Sequence, residues 1–144
     1  MAWTNHQIIS EALTEIGMGS YVYDAQPEDL QTAQGRLDAM LAEWESQGII
    51  TGYVVKNTPT LADLQVDAGI RQQLVRPVIL NLALELGPMF GKTVSPDTKV
   101  AAKKGYNLAV ASSVTIPTAK ANVTSAPAGG GWKNPTIPFL AEDN

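Results

Sequence analysis

Leu30, Ala33, Leu37, Met40, Leu41 and Trp44 recur at helical spacing and draw one apolar seam along a polar stretch, and no other feature so narrows what the chain can become. The seam predicts an amphipathic helix opening at Pro27, where proline suits a first helical position and Glu28 and Asp29 meet the positive end of the macrodipole. Gly48 is placed to take the left-handed conformation just past its end, with Ile49 covering the last turn. A helix with one apolar face must bury that face against other elements.

The rest of the chain supplies them. Thr4 and Gln7 have the spacing of a capping box, followed by Ile8, Ile9, Ala12, Leu13 and Ile16, so a first helix is expected to end at Gly17. A third helical region opens near Asp67 and carries Ile70, Leu74, Val75, Val78, Ile79, Leu82, Ala83 and Leu86, with a kink or restart expected at Pro77 and a close at Gly87-Pro88. Ser95-Pro96 announces a fourth helix reaching about Ser113 through Val100, Ala101, Leu108 and Ala111. Gly105 weakens that helix unless another backbone packs close to it. Between the second and third regions, IITGYVV (residues 49–55) is rich in strand formers and reads as a short extended segment or tiny hairpin that must lean on something else.

After Ser113 helical periodicity stops. The stretch from Val114 to Asn144 holds four prolines and the run Gly129-Gly130-Gly131, yet it ends in Trp132, Ile137, Pro138, Phe139 and Leu140, large apolar groups that a merely solvating tail would not carry. Thirty residues from Thr115 span on the order of 100 Å when extended. The expected organisation is therefore a mainly α fold: a bundle of about four helices over residues 1–114, with a long extended C-terminal arm, 115–144, that docks on a partner through Trp132, Pro135, Ile137, Pro138, Phe139 and Leu140.

With 144 residues, 44% of them hydrophobic and 17% charged, a single modest core is expected. The start MAWTNHQIIS lacks the pattern of a secretory signal and VILNLALELG is too short to span a bilayer, so a soluble protein is expected. Residues 1–67 carry ten acids against two bases, and the remainder carries eight bases against four acids. The sharper consequence is that acidic and basic surfaces of neighbouring subunits meet, around Lys99, Lys103 and Lys104. The 49–55 block, with Ile49, Ile50, Tyr53 and Val54, is expected to be buried at a junction between subunits or against the third helix.

Groups fit for catalysis are few. His6 has no triad or metal-ligating set beside it in the sequence, the absence of cysteine excludes thiolate zinc, and the glycine run at 129 lacks the lysine and hydroxyl of a phosphate loop. Glu43 beside Trp44, with Asp38 or Glu45 as a second carboxyl, leaves open a peptidoglycan hydrolase. A DNA-binding module is the other alternative, opposed by a sequence pI of about 4.8. Helical acids with a solvated face, and Trp44 in the core, are the plainer reading, and they make no enzyme and call for no cofactor or metal.

LDAMLAEWESQGIITGYVV, residues 37–55, resembles the signature segment of the head-to-tail adaptor family of tailed bacteriophages, also called tail accessory factors or packaged-DNA stabilisation proteins and best known from short-tailed phages. Looser similarity extends to the helical stretch before it and to DAGIRQQLVRPVILNLALELGP, residues 67–88. The resemblance implies a homo-oligomeric ring of twelve copies beneath the portal protein ring, assembled in the host cytoplasm and held at the head–tail junction of the virion. Such a ring extends the DNA channel, seals the packaged head and offers a platform to downstream tail or nozzle proteins. The C-terminal arm would grip the portal, and genomic DNA would pass through the lumen without specific binding.

Overall fold

The computed structural model describes residues 2–56 and 60–115, and the chain divides after Val114. Four helices run α1 (Asn5–Glu15), α2 (Pro27–Ser46), α3 (Gln72–Met89) and α4 (Pro96–Ser113), with a 3-10 turn, Leu61–Gln65, between α2 and α3. The small, mainly α bundle expected from the sequence is the fold observed. Among the described residues the only sheet-like pairing is an isolated antiparallel bridge between Thr4 and Asp67.

Helix ends follow local chemistry closely. Thr4 Oγ1 accepts from the Gln7 backbone while Gln7 Oε1 accepts from the Thr4 N–H, closing the capping box at α1. Ser95 Oγ accepts from Thr98 N at the start of α4. At the other ends α1, α2 and α3 share one device, a glycine at positive φ whose N–H returns to the last turn while the next residue's N–H reaches one carbonyl further back. In α2 these bonds are Gly48 N to Glu45 O at 2.9 Å and Ile49 N to Trp44 O at 2.9 Å. Gly17-Met18 and Gly91-Lys92 repeat the arrangement, with φ of 79° at Gly17 and 63° at Gly91.

α3 lies at the centre, in contact with α1, α2 and α4. Its Leu74, Val78, Leu82, Ala83 and Leu86 are fully buried, meeting Ile8, Ile9 and Ala12 of α1 and Leu37 and Leu41 of α2 in one core. Truncating Leu82 to alanine in such a site typically costs about 2–5 kcal/mol. Trp44 is buried, its ring edge-on to Tyr106 of α4 at 5.6 Å.

Three expectations need correction. First, α3 starts at Gln72 rather than near Asp67, because residues 66–68 are committed to backbone bonds with the chain before α1, Asn5 N to Val66 O and Ala68 N to Trp3 O. It also runs unbroken through Pro77 and past Gly87-Pro88 to Met89, and the actual stop is Gly91. Gly87 serves packing instead: a Cβ there would lie 2.7 Å from Val94 Cγ2. Second, α4 does not bury Val100 and Leu108, which are exposed; it buries Ala102 and Ala109. With Gly105 between them these small residues let α4 approach α3 closely, a Cβ on Gly105 falling 3.0 Å from Pro77 Cα. Asn81, which interrupts the apolar run of α3, bridges the same seam by donating to Pro77 O at 2.8 Å and Ala102 O at 3.1 Å. Third, the acids are not all solvated: Asp38 and Asp63 are buried.

Candidate assembly surface

IITGYVV forms neither hairpin nor strand, and its side chains alternate between the core and the surface. Ile49 and Thr51 are buried and Tyr53 is half-buried, whereas Ile50 and Val54 are 54% and 76% exposed. Backbone bonds hold the segment down: Ile50 N donates to Ser113 Oγ at the end of α4, and Arg71 N donates to Thr51 O. Gly52, at φ 89°, lies against Gly69, and a Cβ on it would sit 2.7 Å from the Gly69 carbonyl oxygen. Gly52→Ala therefore adds a backbone clash to a left-handed strain and should lower stability by about 1–3 kcal/mol, read as a shifted urea midpoint at unchanged slope.

Beneath the segment is a polar cluster. The Tyr53 hydroxyl donates to Asp38 Oδ1 of α2, and Lys56 pairs with Asp63 of the 3-10 turn. Asp63 Oδ2 also accepts from Thr60 N and Thr60 Oγ1, both at 2.8 Å, while its backbone carbonyl accepts from Asn5 Nδ2 at 3.0 Å. Burial raises the Asp38 carboxyl above the ordinary carboxylate value against the opposing bond from Tyr53, and the Asp63 charge adds to the rise. Burial and the bond to Asp38 likewise push the Tyr53 phenol far above its usual range. Asp63 is held down to about 2, chiefly by Lys56 and then by the Thr60 donors. Asp38 Oδ2 and Asn5 Oδ1 are buried with no hydrogen-bond partner among the described residues. The cluster fixes the angle at which Ile50 and Val54 are presented; buried on the inner side of α2, Asp38 is not placed as a surface acid.

The acid–aromatic pair of the sequence separates in space, since Glu43 is exposed on α2 while Trp44 turns into the core. His6 is half-buried in an open cleft of about 450 Å³ with Trp3, Ser10, Glu11 and Gln72. No group of three His, Cys, Asp or Glu side chains among the described residues is arranged to hold a metal ion.

On the outer face of α4, Lys99, Lys103 and Lys104 are exposed beside Val100 and Leu108, and Val110 and Val114 continue the exposed apolar residues toward Ile50. Of the residues expected between subunits, Ile49 belongs to the core of its own subunit, Tyr53 anchors the segment, and Ile50, Val54 and the lysines present surface. Trp132, Pro135, Ile137, Pro138, Phe139 and Leu140 lie outside the described residues. Sequence reasoning missed the loop between α1 and α2, where Tyr21 and Val22 are 82% and 65% exposed; two apolar residues inside GSYVYDAQ were the available signal.

A family model described as P22 tail accessory factor matches residues 1–138, nearly the whole chain. The chain belongs to this family. A tail accessory factor is a component of the phage virion, and a bundle tied down from within while exposing apolar and basic side chains suits a part that is built into a larger body. No helix among the described residues is long and apolar enough to cross a membrane.

Proposed function

We propose that this tail accessory factor is a head-to-tail connector subunit, forming a ring under the portal that extends the DNA channel, seals the packaged head and gives the tail its platform. The observation that carries the reading is exposed apolar surface for which a solitary subunit has no use: Ile50 and Val54 on the 49–55 segment, and Val100, Leu108, Val110 and Val114 along α4 and its end, all at least 38% exposed on a protein of modest core. Twelve copies, assembled in the host cytoplasm onto the portal ring, cover this surface with one another. The arm, 115–144, holds the portal through Trp132, Pro135, Ile137, Pro138, Phe139 and Leu140, and downstream tail or nozzle proteins seat below.

The subunit works by position and without catalysis. Its net charge of −4 gives the ring a strongly acidic total, so genomic DNA slides through the lumen without sticking. Contact between the acidic first half of one subunit and Lys99, Lys103 and Lys104 of the next makes assembly sensitive to ionic strength, each exposed pair being worth under about 1 kcal/mol. Mixing the protein with isolated portal rings should give co-sedimentation, formed more slowly as salt is raised from low to physiological strength. Failure to co-sediment would reject the connector, salt-independent kinetics would reject the charge contact, and cleavage of peptidoglycan lost on Glu43→Gln would favour the hydrolase instead.

A further inference from the structure

The bundle carries an apolar cleft and, far from it, an apolar projection of opposite charge. The cleft, about 320 Å³, runs between α3 and α4 and is lined by Pro77, Leu80, Gly105 and Leu108 with the cations Arg76 and Lys104. The close approach of the helices at Gly105 and Pro77 forms its floor. The projection is the turn Gly19–Tyr23, where Val22 N and Tyr23 N both donate to Gly19 O, at 2.8 and 3.0 Å. The Tyr21 ring lies over Gly19 so closely that a Cβ there would fall 2.5 Å from Tyr21 Cε1, and the turn is tied to α2 by the Tyr23 hydroxyl bond to Asp29. Asp24 and Glu28 stand exposed just beyond it. A projection ordered before contact loses little freedom on docking.

One subunit cannot bring the two together. Tyr23 packs edge-on to Phe90 at 6.1 Å, placing the turn at the C-terminal end of α3, whereas the cleft begins at Gln73. Even from Leu80 to Phe90 the helix advances ~15 Å.

We propose that Tyr21 and Val22 of one subunit insert into the α3–α4 cleft of a second copy, with Asp24 and Glu28 facing Arg76 and Lys104. The occupant is a second copy because this chain carries both complementary parts, an exposed aromatic flanked by acids and an apolar cleft flanked by bases. Such a contact is head-to-tail, and head-to-tail contacts close into rings when the rotation permits. The inference rests on the ring reading and names the surfaces that build it.

The test compares wild type, Tyr21→Asp and Leu108→Glu by sedimentation at raised concentration, alone and with portal rings. Both replaced side chains are exposed, so helical circular dichroism should be unchanged. Each variant alone should associate with itself about 30-fold more weakly than wild type, as expected of an interface hot spot. An equimolar mixture should form a one-to-one pair and stop, because it holds a single intact projection–cleft match. Variants that assemble like wild type, or a mixture that stays monomeric, overturn the contact and leave the ring reading standing. A wild type that never self-associates, with or without portal rings, removes the ring reading and the contact with it. As the chain has no cysteine, an Asp24→Cys/Arg76→Cys double variant, which leaves Tyr21 and Leu108 in place, gives an independent measurement. Oxidation should produce a disulfide-linked ladder on a non-reducing gel, and monomer alone would overturn the contact.

Discussion

Tyr53→Phe is expected to destabilise the bundle by about 1.5–3 kcal/mol at neutral pH, the cost of removing a hydrogen bond to a buried charged group. The variant keeps the ring and loses only the hydroxyl, which donates to Asp38 Oδ1, and Asp38 Oδ2 is already buried with no partner among the described residues. The loss should depend on pH with a definite sign. Burial raises the Asp38 carboxyl in the folded state, so ionising it as pH climbs from about 4 through its folded value takes stability away from the native protein. Without the Tyr53 donor that rise is larger and the penalty above it greater. The gap between wild type and variant should therefore narrow as pH falls and Asp38 takes up a proton. Asp63 behaves oppositely: held down to about 2 in the fold, it contributes stability that is present above pH about 4 and lost as pH falls toward 2. Urea unfolding of both proteins from neutral to mildly acidic pH, above the range where Asp63 titrates, checks the prediction. A constant gap would mean that Asp38 is not the group the hydroxyl serves.

What was legible in the sequence is what local chemistry decides. Thr4 with Gln7, Pro27, Gly48 with Ile49, and Ser95 with Pro96 act on their own turns, and each marks a helix end in the fold. The buried face of α4 was not legible from hydrophobicity, because the neighbour demanded smallness: Ala102, Gly105 and Ala109 admit the α3 backbone, and the larger Val100 and Leu108 are left outside. Gly87 and Pro88 look like a stop and are not one, since the turn after Gly91 folds Val94 back over Gly87. The Asp38–Tyr53 bond joins residues fifteen apart on different elements, and no local pattern announces it. For the candidate site, the apolar character of residues 49–55 was visible, whereas which members face outward was set by the hold of Thr51 and Tyr53 on the core side.

The larger functional effect is expected from removing residues 115–144. A chain ending at Val114 retains every helix of the bundle and should keep its helical circular dichroism, yet it should lose portal attachment, at least 100-fold in affinity by about 3 kcal/mol or more of lost hot-spot contacts. On the proposed reading Trp132 and Phe139 would be the aromatic anchors in that stretch, and many arms on one ring would reinforce one another through effective concentration. Near-normal attachment by the truncated protein would shift the grip from the arm to the bundle.

Native mass measurement of purified portal rings, with and without the full-length protein, decides whether this chain forms a ring on the portal. One discrete complex heavier by twelve copies of the 15.3 kDa chain is expected, with no stable species carrying only one or two. Portal rings that gain no mass, or that take up single copies without completing a set, would contradict it.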